Sequence, residues 1–374
     1  MKLRYKIPLG ILLTLVAAIS ALALVIGHTA DCGPAPQLSG NGEWVKAVTY
    51  RCYGPPEVLE YVDIEKPTPA ADEILVKVYA ASVNPLDWHY MRGSPYLMRL
   101  IAGIGAPTSS AMGVDFAGTV EAMGDDVTNH KIGDAVFGGR NGAFGEYLTK
   151  RVSGGVTHMP DNVSFEQAAA VPIAAITALQ ALRDKGQLKA GQKVLINGAS
   201  GGVGTYAVQI AKAWGAEVHG VCSTRNMEMV RSLGADRVFD YKIENYTESD
   251  QRYDLIIDNV SNHSHLANTR VLKPDGVLVT VGGSPGDWIG PLLTPVMGLL
   301  TQPFVSQKLE GLMAEITGED MAILADLMRA GKLSSVIDRR YSLEEVPQAI
   351  AYSETGRAQG KIIISVRSPS QSSR

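Results

Sequence analysis

Residues 193–213 read KVLINGASGGVGTYAVQIAKA: a short apolar run, a glycine-rich turn, then a helical pattern. No other stretch restricts the fold so much. A strand that leaves through such a turn into a helix opens a parallel sheet with helical crossovers. Gly201 and Gly202 leave the backbone bare for a pyrophosphate, and Gly204 lets the helix pack close to the strand. The helix N-terminus adds free N–H groups and the positive end of its dipole. Ala199, Ser200 and Val203 complete the turn, Ala199 standing where a glycine is commoner. The same rhythm continues downstream, with EVHGVC, RVFDY, YDLIIDNV and GVLVTVGG as strands and RNMEMVRSLG as a helix. The expected class is α/β with a doubly wound parallel sheet, and the expected ligand is a dinucleotide.

The end of the second strand, VCSTRN, selects which dinucleotide. A site for NAD usually places a carboxylate there, on the ribose 2′-hydroxyl. This chain has Ser223, Thr224 and Arg225 instead. A carboxylate would repel a 2′-phosphate, whereas a guanidinium with hydroxyl donors suits one. NADP(H) is the expected cofactor.

Upstream, WVKAVTYRCYG, EILVKVYAASVNP, DFAGTVEAMG, DAVFGG and AFGEYLTK read as strands with glycine-rich turns, a β-rich segment from about 44 to 160. SFEQAAAVPIAAITALQALRDKG is helical. The tail ends in a helix, GEDMAILADLMRAGKL, and a last strand, KIIISV, which is expected to return to the first unit.

The chain opens with Lys2, Arg4 and Lys6, then carries no charge from Ile7 to Ala30. A spanning helix needs roughly 20 apolar residues and a signal-peptide core only about 7–15. The length therefore favours an uncleaved signal anchor, a single-pass transmembrane helix over residues 1–30, with a cleaved signal as runner-up. A membrane-anchored protein is expected. The positive flank would stay in the cytoplasm and leave residues 31–374 outside, an awkward side for a nicotinamide cofactor.

With 45% hydrophobic and 19% charged residues a large core is available, and the net charge of −4 with no basic block among aromatics excludes nucleic acid as a partner. Cys32, Cys52 and Cys222 share no metal-type spacing, so neither a zinc knuckle nor a disulfide framework is expected.

These motifs, with GPPEVLEYVDIEKP, GVDFAGTVEAMG, LGADRVFDY and GKIIISV, resemble the medium-chain dehydrogenase/reductase superfamily in its zinc-independent quinone oxidoreductase (zeta-crystallin-like) branch, over residues 44–366. The resemblance implies a GroES-like β-rich catalytic domain split around a Rossmann domain. By it the chain divides into an anchor (1–30), a linker (31–43), a first catalytic part (44–165), a Rossmann NADP-binding domain (166–303), a returning catalytic part (304–366) and a disordered tail (367–374). Zinc-dependent members ligate through Cys or His and a Gly-His-Glu motif. Here the counterparts are Asn84 and Gly113-Val114-Asp115, and PIAAIT lacks the third ligand. Three protein ligands are needed, so no metal is expected.

By the same resemblance the catalytic candidates are Asn84, Tyr90 and Tyr96. Asn84 would bond the cofactor ribose or substrate oxygen, and the tyrosines would donate to a developing oxyanion. Ile176 and Thr177 would lie near the nicotinamide, Tyr241 near the adenosine or its 2′-phosphate, Val281, Gly282 and Gly283 behind the nicotinamide ring, and Lys361 would reach the cofactor from the tail. Hydride transfer to an activated acceptor needs no Lewis acid. The expected activity is NADPH-dependent reduction of small-molecule quinones or conjugated enones and aldehydes, by a homodimer. The alternatives are an enoyl-thioester reductase and a non-catalytic NADPH-binding sensor or scaffold. Residues 284–305, apolar and broken by prolines, are expected to pack; a cleft lid, a dimer contact and a lipid-touching loop are the other readings.

Overall fold

The computed structural model describes residues 9–34, 42–283, 286–288 and 290–367. Two large sheets organise it, beside a two-stranded antiparallel one of Trp44–Thr49 and Glu60–Glu65. The first is a parallel sheet of six strands, in the spatial order Arg237–Asp240, Glu217–Cys222, Lys193–Asn197, Tyr253–Asp258, Leu272–Thr280, Lys308–Gly311. Val194, Leu195 and Ile196 of its central strand are fully buried, as an apolar run covered on both faces requires. Tyr206, Ala207, Val208, Ile210 and Ala211 of the helix Gly202–Ala213 bury against it. The strand order reverses between Lys193–Asn197 and Tyr253–Asp258, and an open sheet of this kind binds its ligands at such a switch point.

The second sheet has seven strands and is mostly antiparallel. Its long strand Glu73–Val83 pairs with Asp115–Met123, with Tyr147–Arg151, and with the final strand Lys361–Ser365. Ile362 therefore stands beside Val83, and the tail completes the first unit. The helix Phe165–Ala169 starts at Ser164, whose hydroxyl accepts from the Gln167 amide.

Three expectations change here. The segment expected to span a membrane forms a helix, Leu9–Gly27, yet no helix among the described residues is long and apolar enough to cross one. Its 19 residues reach about 28 Å, just short of a hydrocarbon core of roughly 30 Å. Its last turn is also committed elsewhere. Ile26 is buried, and Arg99 donates to the carbonyls of Ile26, Gly27 and His28 at 3.2, 3.2 and 2.9 Å. The membrane-anchored, single-pass localisation is withdrawn, and the question of which side the protein faces goes with it. The charged start, residues 1–8, lies outside the described residues, as do residues 368–374 of the expected disordered tail.

Second, Cys32 and Cys52 form a disulfide, leaving Cys222 free and buried. Their spacing carries no signal, because the pairing depends on the segment after the helix folding back over Arg51. That guanidinium donates to the carbonyls of Cys32 and Gly33. Third, the stretch at 284–305 contains a helix, Gly290–Thr301, and leaves Leu299, Leu300 and Phe304 exposed.

Candidate active site

A cleft of about 910 Å³ runs between the two sheets, and the glycine-rich turn forms its floor. A methyl group on Gly204 would stand 2.1 Å from the Gly198 carbonyl oxygen, so only glycine lets the helix start this close to the strand. At Gly202 the nearest atom is the Lys361 Cδ at 3.3 Å, and at Gly201 nothing stands closer than 3.5 Å. Packing does not demand glycine at those two positions, and a bare backbone there leaves room for a ligand to approach. The helix has no side-chain cap, so no side chain competes for its first N–H groups. Ser200 and Val203 line the cleft with them, while Ala199 is buried behind the turn. The returning tail touches the turn directly, with the Gly360 amide donating to the Ser200 carbonyl at 2.9 Å.

At one end of the cleft stand Ser223, Arg225, Tyr241, Lys242 and Arg357. Arg225 donates through Nη2 to the Arg357 carbonyl at 2.7 Å, so the two halves of the chain meet there. Thr224 is not part of this wall. Its hydroxyl donates to Asp240 at the end of the neighbouring strand.

At the other end is a buried polar cluster. The Lys361 ammonium donates to Asn84 Oδ1 at 2.5 Å and lies 3.4 Å from Asp115 Oδ2. Asn84 Nδ2 and the Ser82 hydroxyl each donate to the same carboxylate oxygen at 2.9 Å, and the Ile173 amide donates to the other oxygen at 3.0 Å. Asp87 accepts from the Asn84 amide at 2.7 Å. Burial, helped by the charge of Asp115 and opposed by the Asn84 amide, pushes the Asp87 carboxyl up to about 7. Burial lowers the pKa of Lys361, and Asp115 and Asp87 oppose that.

The remaining candidates fall nearby. Ile176 is buried in the core and Thr177 bonds its own helix at Ile173, whereas Ile173 and Ala174, one turn earlier, line the cleft. Val281, Gly282 and Gly283 do not line the cleft, and a methyl group on Gly282 would meet the Asn259 carbonyl oxygen at 2.2 Å. Asn259 itself forms the wall. Tyr90 is partly exposed, and Tyr96 packs edge-on against Trp288 with the Arg99 guanidinium over its ring. Neither tyrosine borders the cleft. His89 lies 2.7 Å from the Ser94 carbonyl through Nδ1. Among the described residues no three His, Cys, Asp or Glu side chains are grouped to hold a metal ion.

Sequence reasoning missed Asp87, Asn226, Lys242, Asn259 and Arg357. Asn226 and Asn259 are informative. Each commits its amide nitrogen to the protein, on the Ser200 hydroxyl and the Asn197 carbonyl, both at 2.9 Å. Each keeps a buried side-chain oxygen with no partner, and both line the cleft. Buried acceptors are nearly always matched, so these two fit a ligand rich in hydroxyl or amide donors, as a dinucleotide is.

Comparison with known proteins agrees. The "Alcohol dehydrogenase GroES-like domain" family matches residues 70–181 and the "Zinc-binding dehydrogenase" family residues 233–364. A chloroplastic quinone-oxidoreductase of Triphysaria versicolor is 37% identical over 86% of this chain and 99% of its own length. The human mitochondrial NAD(P)H oxidoreductase is 34% identical over 79% of this chain and 82% of its own. The structure of the quinone oxidoreductase from Coxiella burnetii superposes with a TM-score of 0.76 at 31% identity, covering 87% of this chain and all of that one. The chain belongs to the medium-chain dehydrogenase/reductase superfamily, with quinone oxidoreductases among its relatives, and is an NAD(P)H-dependent oxidoreductase.

Proposed function

We propose that this enzyme reduces a quinone, or a conjugated enone or aldehyde, by hydride transfer from NADPH without zinc. The observation that carries the reading is the Lys361–Asn84–Asp115 cluster, which stands where zinc-dependent members keep ligands. Asn84 spends its side-chain oxygen on an ammonium, and Val114 offers no donor atom. Bound in the cleft, NADPH would supply a hydride from its nicotinamide. The glycine-rich turn would hold the pyrophosphate, and Arg225, Lys242 and Arg357 the 2′-phosphate. Lys361 would hold a fixed positive charge beside the reacting end, where an acceptor oxygen gains negative charge; preorganised charge of this kind stabilises a transition state without reorganisation. Ile173, Ala174 and Val83 would keep water from the transfer.

The unit that binds the nucleotide is proposed to run from about 166 to Gly311, past the expected limit at 303, because Lys308–Gly311 is the sixth strand of the parallel sheet. That strand is an open edge, and a homodimer formed across it is the assembly we propose. Light scattering would check it: a monomeric mass at micromolar concentration would reject it.

The test follows NADPH and NADH oxidation at 340 nm with a panel of quinones and enones, with and without chelator. The expected result is turnover that resists chelator and prefers NADPH. Saturable nucleotide binding without turnover of any acceptor would reject the proposed substrates.

A further inference from the structure

We infer that Asn226 reads the adenosine ribose through its side-chain oxygen and so lets a site built for NADPH also hold NADH. The inference rests on the reading that NADP(H) occupies the cleft.

Asn226 follows Arg225 directly after the second parallel strand. Its side chain is buried, and its backbone amide donates to the Ser223 carbonyl at 2.9 Å. Nδ2 donates to the Ser200 hydroxyl at 2.9 Å, which ties this residue to the pyrophosphate turn. Oδ1 is left buried and without a protein partner, in a residue that lines the cleft. Arg225, Lys242 and Tyr241, which line the same cleft, can all donate. Asp240, at the end of the neighbouring strand, is already bonded to the Thr224 hydroxyl and the Lys242 amide.

A 2′-phosphate only accepts hydrogen bonds at neutral pH, so it suits the donors. A ribose hydroxyl donates, so it suits the orphaned Asn226 oxygen. The amide therefore takes over half the work of the missing carboxylate. It accepts from the 3′-hydroxyl, which both cofactors carry, without the negative charge that would repel the phosphate of one. The arrangement favours NADPH through Arg225 and still admits NADH through Asn226. An aspartate here would accept from both hydroxyls of an unphosphorylated ribose and repel the phosphate.

Isothermal titration of the full chain with NADP⁺ and NAD⁺ tests this without any turnover. In Asn226→Asp, NADP⁺ binding is expected to weaken by roughly 30-fold while NAD⁺ binding holds or tightens, reversing the preference. In Asn226→Leu, which keeps the volume and loses the acceptor, both nucleotides are expected to weaken by roughly 10-fold with their ratio unchanged. Should the aspartate variant not fold, the leucine variant carries the test alone: unaltered binding of both nucleotides overturns the inference. An unchanged preference in a folded aspartate variant overturns it as well. A purely structural role would weaken both nucleotides in step in the aspartate variant too, and would lower thermal stability. Wild-type protein that binds neither nucleotide would reject the NADP(H) reading itself, an outcome separate from these.

Discussion

Asp87 sits beside Asp115 and Lys361 with its carboxyl raised to about 7. In the unfolded chain it would ionise near its ordinary value of about 3.9. Its contribution to stability is thus fully present below pH 4 and is lost as pH rises towards 7, because the unfolded chain releases this proton first. At about 1.4 kcal/mol per unit, the loss is on the order of a few kcal/mol. Asp87→Asn keeps an acceptor for the Asn84 amide and removes the titration. Urea denaturation at pH 5 and pH 8 is expected to show a smaller fall in stability for the variant than for the wild type. If the guanidinium meets the 2′-phosphate as proposed, Arg225→Ala is expected to raise the KM for NADPH by roughly tenfold and leave that for NADH nearly unaltered; equal losses for both would remove Arg225 from that role. Much of this site was legible beforehand. Asn84 and Lys361 announce themselves through motifs, and Arg225 through the absence of a carboxylate beside it. Asn226 and Asn259 do not, because an asparagine becomes informative only once the partner of its nitrogen is known. Thr224 misled for the same reason: its hydroxyl looks free in sequence and is spent on Asp240.

The strand–turn–helix element separates two uses of glycine. Gly204→Ala places a methyl group 2.1 Å from a carbonyl oxygen, so strand and helix must move apart. A loss of roughly 1–3 kcal/mol is expected, read as a lower thermal midpoint. Gly202→Ala meets only the flexible stem of Lys361 at 3.3 Å, so its midpoint is expected to hold while nucleotide affinity drops. A scanning-calorimetry trace beside a titration distinguishes the two. This element was readable because its residues are neighbours in sequence. The helix Leu9–Gly27 was readable as a helix but not as a docked one: its last turn is capped by Arg99, some seventy residues away, and hydropathy cannot report a partner at that distance.

For the molecule as a whole, the Cys32–Cys52 bond holds the segment after the first helix against the connection between the strands Trp44–Thr49 and Glu60–Glu65. It spans 20 residues, and breaking it is expected to cost roughly 3 kcal/mol by the loop-entropy account. Cys32→Ser is expected to lower the thermal midpoint and speed proteolysis between residues 28 and 43. Hydride transfer should stay unaltered, because neither cysteine borders the cleft. The two-sheet plan was legible in the switch from strand-rich to alternating patterns, whereas the disulfide depends on a fold-back that no local pattern records.

The return of the last strand has a consequence in time. Lys361 and the Val83 carbonyl it touches are 278 residues apart. At 5–20 residues per second, a ribosome that has made one needs roughly 15 to 55 s to make the other. For that interval the strand Glu73–Val83 waits with part of one edge open, while the parallel unit is completed at Gly311 before the last strand is made. The nascent chain is therefore most exposed to mispairing in its middle age, and the buried cluster of Asn84 and Asp115 is completed last, by the lysine that also closes the sheet.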